Sequence, residues 1–290
     1  MLACLFFSLP LAASLFFSPA SDGGGSGAAP PSRLRVMAMG DSITAGGPEG
    51  GYRALLHGLL VEDGLDVEFV GARSVPGDES PARLHWAQHG WQISTVPGEV
   101  SGRRYVSIQG QNRNGLLEEL DAAISPEFLA PREGSRDVVL LMIGMNDVLH
   151  QVVDEEHGRF DSDEGRDGMG ESQEWIGKGC IARLEALLRA IDARAAAHGM
   201  RLEVLVATMP IPTRQWTRDA LSDVMLQGAR EYNAWIVGEL PGLSFEAVRI
   251  GVVDMAPRLE GLLHDGVHPR AEGHAAMAKA WRDAIVGEGE

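Results

Sequence analysis

The chain has 290 residues, 44% of them hydrophobic, with 25 Lys and Arg against 41 Asp and Glu for a formal net charge of −16. Affinity for nucleic acid and for anionic lipid surfaces rests largely on cationic side chains, so both partners are disfavoured. Lys178 and Lys279 are the only lysines, neither in a G-x-x-x-x-G-K-[ST] phosphate loop, and Cys4 and Cys180 are the only cysteines, which excludes a disulfide framework and a cysteine-rich zinc cluster.

Residues 1–20 carry no charged side chain, and residues 21–32 are Gly/Pro/Ser-rich. This pattern predicts an export signal processed near Ser18-Pro19-Ala20, then a linker, then a catalytic domain over 33–290, and hence a secreted or extracytoplasmic protein. The competing reading is an uncleaved membrane anchor, because about 18 apolar residues suffice to span a bilayer. Cys180 flanks an apolar helical pattern, which predicts burial.

From Arg33 onward, apolar runs alternate with helical patterns. Strands are predicted at Leu34–Met39, Val67–Val70, Asp137–Ile143, Leu202–Thr208 and Val248–Val253, and helices at Tyr52–Glu62, Gly115–Leu129, Ile176–His198, Asp219–Leu240 and Ala271–Ile285. Nearly continuous apolar strands alternating with helices indicate an α/β domain whose parallel sheet is covered on both faces. Residues 154–174 interrupt the rhythm with nine carboxylates and two arginines, a net −7. They read as a solvated, mobile insertion, since such composition does not support packing. Asp161, Asp163 and Asp167 evoke calcium ligands, but Gly165 falls one place early for the helix-loop-helix calcium pattern, and no metal is expected there.

Four places carry chemistry. The first strand runs into Gly40-Asp41-Ser42, where a serine at a strand end faces the crevice in which α/β sheets bind ligands; Asp and Ser are also ordinary turn and cap residues. The third strand ends in Gly144-Met145-Asn146-Asp147. With the flavodoxin-like strand order 2-1-3-4-5, Ser42 and Asn146 face one another across the switch point. The Asn146 amide then offers N–H donors to developing negative charge, or simply makes an Asx-turn. In His264-Asp265-Gly266-Val267-His268-Pro269, the Gly and Pro predict a loop. Asp265 and His268 have the chemistry of an oriented general base, which a serine nucleophile needs, although an isolated Asp-x-x-His also serves to stabilise loops. Gly90, in Gln88-His89-Gly90-Trp91, is either an unobstructed backbone donor or a plain turn.

In this order the four blocks resemble those of the SGNH (GDSL-type) hydrolase superfamily. Within it they are most similar to the acetyl xylan esterases of carbohydrate esterase family 3, helped by Gly51-Tyr52-Arg53, Asp66–Gly71, His89-Gly90-Trp91, His268-Pro269, Glu272-Gly273-His274 and Met277-Ala278. The sequence around Gln88 and Met145 departs from that family's usual text, which bears on substrate choice. The resemblance implies a three-layer α/β/α sandwich on a five-stranded parallel sheet. It also implies a cofactor-free, metal-free serine esterase acting through an acyl-serine, with acetylated carbohydrate such as acetyl xylan as substrate. Ser42 would be the nucleophile, His268 the base and Asp265 its orienting partner. Ser42, Gly90 and Asn146 would form the oxyanion hole, with Asp41 and Asp147 in support. Trp91 and Trp216 would offer faces for a sugar, although core packing is the commoner use of such residues.

Lipase, lysophospholipase or thioesterase activity on the same fold is the alternative, because pocket walls set acyl length. More distant are a non-catalytic carbohydrate-binding module and a metal-dependent hydrolase built on His264, Asp265 and His268. An acidic rim from 154–174 favours a neutral small-molecule or polysaccharide ester over anionic lipid or nucleic acid.

Overall fold

The computed structural model describes residues 33–94, 98–100, 103–107, 115–129, 134–154, 169–213 and 221–287. The expected leader and linker, Cys4, Trp216 and residues 155–168 of the acidic stretch therefore lie outside the described residues.

The apolar runs form β1 (Arg33–Gly40), β2 (Val67–Phe69), β6 (Ser135–Met142), β8 (Leu202–Ala207) and β9 (Val248–Val253), all parallel, in the order β2-β1-β6-β8-β9. Counting these five strands alone, this is the expected 2-1-3-4-5 order. Burial follows position in the sheet: β1 is buried at every residue after Arg33, whereas the edge strand β9 is buried only at its two ends. A central strand buried on successive residues has both faces covered, which explains why its sequence is apolar without alternation. The flanking helices are α2 (Gly51–Glu62), which packs on α7 (Ala271–Val286), and α5 (Met169–Ala197), which packs on α6 (Leu221–Gly238). Arg35 is the polar exception in β1. In register with Asp137 of β6, it donates two hydrogen bonds to that carboxylate at 2.7 and 2.6 Å, so the buried charges are paired.

Three expectations are corrected. The helix expected over Gly115–Leu129 is reduced to a 3₁₀ turn, Leu117–Glu119, and a single turn, α3 (Leu120–Ala123). Gly115 instead bridges to Gln92, and Pro126, which lacks an N–H, discourages helix in the residue before it. The loop expected over 154–174 is not found at either end of that range. Asp154 closes β7 (Gln151–Asp154), and α5 begins at Met169, its first turns carrying the helix formers Met169, Glu171, Gln173 and Glu174. Finally, β4 (Gly98–Val100), β5 (Arg103–Ser107) and β7 form a second, antiparallel three-stranded sheet that the sequence reading left unassigned. Strands of three to five residues offer too few alternations to stand out.

Two further short elements matter for the site. A two-residue strand, β3 (Trp86–Ala87), pairs parallel with Met39–Gly40 at the end of β1, and α4 (Met145–His150) leaves the end of β6. As expected, Cys180 is buried, on α5. Among the described residues no helix is long and apolar enough to cross a membrane.

Candidate active site

Ser42 is the first residue of α1 (Ser42–Ala45), immediately after β1. Asp41 caps this turn, its Oδ1 accepting the Ile43 N–H at 2.9 Å. The Ser42 N–H belongs to the first-turn donors that a helix leaves unused. Gly40 must be glycine: a Cβ there would lie 2.2 Å from the Met142 carbonyl oxygen. The buried Arg53 of α2 donates to the Thr44 carbonyl at 3.0 Å and to the Ala45 carbonyl at 2.8 Å, and pairs with Asp78, which anchors the far end of α1.

The Asp265–His268 loop is organised by its own sequence. Asp265 Oδ1 accepts the N–H groups of Val267 at 3.0 Å and His268 at 2.8 Å, while Oδ2 lies 2.7 Å from His268 Nδ1. Gly266 supplies the positive φ of 91° that the turn requires. The loop is tied down by Thr213, whose N–H donates to the Gly266 carbonyl at 2.8 Å, and by a bridge between Leu263 and Pro269. His268 Nε2 then stands 2.9 Å from Ser42 Oγ across 226 residues of sequence. With Nδ1–H donating to Asp265, Nε2 carries the lone pair that faces the serine hydroxyl. Both ring nitrogens are engaged in this chain, which argues against His268 as a metal ligand, and among the described residues no His/Cys/Asp/Glu group is arranged to hold a metal ion.

Gly90 adopts φ 77° in a turn closed by a hydrogen bond from the Trp91 N–H to the Gln88 carbonyl at 3.1 Å. That turn is held beside Ser42 because Ala87 pairs with Gly40 and the Gln88 N–H reaches the Gly40 carbonyl at 3.3 Å. From the start of α4, just beyond β6, Asn146 spends one amide hydrogen on the Trp91 carbonyl at 2.9 Å, which orients the amide and leaves its second hydrogen as a donor. Gln92 returns a bond to the Asn146 carbonyl at 3.2 Å.

The carboxylates differ in environment. Burial pushes Asp41 up to about 7, the Ile43 N–H opposing and the nearby Asp147 adding to the effect. Burial likewise raises Asp147 to about 6 against the pull of Arg183 and the Ile93 N–H. At Asp265 burial also pushes upward, but the His268 and Val267 N–H groups and the His268 ring outweigh it and hold the carboxyl at about 2. His85, beneath the Gly90 turn, is driven down to about 3 by burial and by Arg53, and its neutral Nδ1 accepts the Ala87 N–H at 3.1 Å.

Ser42, Gly90, Asn146, Asp265 and His268 thus converge at the carboxyl ends of β1, β3, β6 and β9, with Asp41 and Asp147 buried behind them. Of the two readings of Trp91 the structure takes packing, the commoner one: it is 1% exposed and the Arg73 guanidinium lies 4.5 Å from its ring centroid, so the ring offers no free face for a sugar. Sequence reasoning missed Arg73, Gln92 and Arg183, because each acts on a partner in another segment. Arg53 stood in the quoted Gly51-Tyr52-Arg53 text without a role.

A serine facing an oriented imidazole, beside several unused N–H donors, suits base-assisted nucleophilic attack on a carbonyl. The pattern of the GDSL-like Lipase/Acylhydrolase family matches residues 38–276. The chain is 26% identical over 269 residues to a multidomain esterase of Ruminococcus flavefaciens; the match takes in 88% of this chain and spans 28% of that protein. Among solved structures, it is similar in fold to a carbohydrate esterase family 3 protein from Talaromyces cellulolyticus, with TM-score 0.53, 19% identity, and coverage of 88% of this chain and 97% of the other. A family 3 carbohydrate esterase from Clostridium thermocellum gives TM-score 0.52, 18% identity, and coverage of 88% and 96%.

Proposed function

This chain belongs to the GDSL-like lipase/acylhydrolase family, and from that premise we propose that it is a serine esterase working through an acyl-serine intermediate. The observation that carries the reading is the continuous hydrogen-bond chain from Ser42 Oγ to His268 Nε2 at 2.9 Å and from His268 Nδ1 to Asp265 Oδ2 at 2.7 Å.

In the first half-reaction His268 takes the Ser42 proton as Oγ attacks the ester carbonyl. The negative oxygen of the tetrahedral intermediate is held by the N–H groups of Ser42 and Gly90 and by the free Asn146 amide hydrogen. Collapse expels the alcohol, to which His268 gives its proton. In the second half-reaction His268 deprotonates water, which attacks the acyl-serine; the intermediate collapses to the acid and returns the proton to Ser42. Asp265 remains ionised throughout, fixing the tautomer and stabilising the imidazolium.

An acetyl ester of a carbohydrate such as xylan is the preferred substrate class. The text shared with carbohydrate esterase family 3 supports it, as do the structural neighbours that bear that family's name. The acidic composition of 154–174 supports a neutral substrate over an anionic one. The uncharged residues 1–20 support export, which N-terminal sequencing of the protein recovered from culture medium tests.

An organophosphorus probe is expected to label Ser42, and Ser42→Ala is expected to abolish turnover of p-nitrophenyl acetate. An unlabelled Ser42, or near wild-type turnover by the variant, overturns the esterase reading. The family's own description includes lipases, so a longer acyl chain is the second reading. Faster hydrolysis of octanoyl than acetyl esters selects it. Release of acetate from acetylated xylan or glucomannan selects the first.

A further inference from the structure

Behind the Asn146 turn lies a buried charge pair that the chemistry above does not use. Asp147 Oδ1 accepts from Arg183 of α5 at 3.0 Å, and Asp147 Oδ2 accepts the Ile93 N–H at 2.8 Å. Asp147 is 0% exposed and Arg183 4%, so water does not replace either bond. Arg183 falls on the face of α5 that also buries Cys180, Leu184, Leu187 and Leu188, which holds its guanidinium under the sheet end.

Asp147 immediately follows Asn146, and Ile93 lies three residues after Gly90. The two segments are already laced by the Asn146–Trp91 and Gln92–Asn146 bonds. The Asp147–Ile93 bond adds a third stitch, and Arg183 anchors it to α5.

We propose that Arg183 is a positioning residue for ester hydrolysis: by holding Asp147 it keeps the Gly90 and Asn146 loops at the separation their donors need to share one oxyanion. The inference deepens the esterase reading and rests on it. An ionised Asp147 accepts on both oxygens. A protonated one presents an O–H donor to a site where an N–H already points, so one bond is lost. The titratable and charged groups that act on Asp147 include Arg183 and Cys180 from α5, Tyr232 from α6 and Asp41 ahead of α1, and of these only Arg183 is a cation; the N–H groups of Ile93 and of Asp147 itself also favour its charged form. Removing Arg183 takes away the cation that opposes burial, leaves the N–H donors, and shifts Asp147 toward the neutral acid.

The test compares full-length Arg183→Met, Arg183→Lys, Asp147→Asn and the Arg183→Met/Asp147→Asn double variant. The rate is kcat for p-nitrophenyl acetate per Ser42 titrated by an organophosphorus probe, measured from pH 5 to 9. Misplacing a catalytic group by about 1 Å costs about 10²-fold, so Arg183→Met is expected to lose about that much in kcat with KM nearly unchanged. Its acid limb moves to higher pH, Arg183→Lys recovers part of both effects, and the double variant is no slower than Asp147→Asn. Wild-type kcat per titrated site in Arg183→Met, an unmoved acid limb, or multiplying losses in the double variant overturns the proposal. If Arg183→Met does not fold, the acid limbs of Arg183→Lys and Asp147→Asn decide. Failure of Ser42 to label in the unaltered protein sinks the esterase reading instead, which separates the two failures.

Discussion

Asp41 and Asp147 lie on one side of Ser42 and Asp265 on the other, and the same side chain obeys opposite terms in the two places. Behind Ser42, burial dominates and carries the two carboxyls to about 7 and about 6. In the half-exposed Asp265–His268 loop, N–H donors two and three residues away and the His268 ring overcome burial and bring the carboxyl to about 2. A carboxylate that must orient and stabilise an imidazolium needs its charge at every working pH, and the short loop supplies it. The buried side provides rigid support instead, at some loss of stability. For Asp41 and Asp147 the folded value exceeds the unfolded one, so their stabilising contribution is complete below about pH 4 and disappears as pH rises through about 6 and 7. For Asp265 the sign reverses: its contribution is present above about pH 4 and is lost as pH falls through about 2.

The contrast is open to experiment on both sides. The largest effect is expected from Asp265→Asn, which retains the shape of the loop but removes the charge that sets the His268 tautomer; kcat for p-nitrophenyl acetate should fall about 10⁴-fold. A fall of less than tenfold would mean that Asp265 only shapes the loop. On the buried side, Asn146→Ala removes the proposed oxyanion donor and should lower kcat about 10²–10³-fold with little change in KM. A loss confined to KM would assign Asn146 to ground-state binding.

A methyl group tests how closely that side is packed. At Gly144, φ is 116° and a Cβ would stand 2.9 Å from the Tyr232 ring, whose hydroxyl donates to the Ile143 carbonyl at 2.9 Å. Gly144→Ala should therefore destabilise the fold by about 1–3 kcal/mol in urea unfolding. Unchanged stability would show that Tyr232 can yield. The smallest effect is expected from Asp41→Asn. The amide oxygen can still cap Ile43, so the cap survives, while the decline in melting temperature between pH 5 and 8 should become shallower. A slope equal to that of the unaltered protein would show that Asp41 does not titrate there.

The legible and illegible parts of the molecule divide by the range of the interaction. The five parallel strands could be read because each is a mostly apolar run bounded by Gly, Pro or polar residues, and the Asp265–His268 unit because its hydrogen bonds close within four residues. The Gly115–Leu129 helix was misread because apolar spacing does not reveal that Gly115 pairs with Gln92 or that Pro126 cuts the run. Trp91 was ambiguous because nothing near it in sequence says that Arg73 covers its ring. Arg183 was invisible: its partner Asp147 is 36 residues away, and an arginine on an apolar helix face is recognisable as paired only when the opposing surface is known.

By itself, then, the sequence determined the α/β alternation, the strand ends that carry Ser42 and Asn146, and the local turn that joins Asp265 to His268, because helix and strand periodicity and short-range hydrogen bonds are properties of neighbouring residues. Tertiary structure decided that His268 meets Ser42, that the Gly90 turn lies against the Asn146 turn, and that three aspartates around one serine titrate in different ranges. Those outcomes depend on which surfaces exclude water and which distant donors face each oxygen, and only packing of the whole sheet and its helices fixes them.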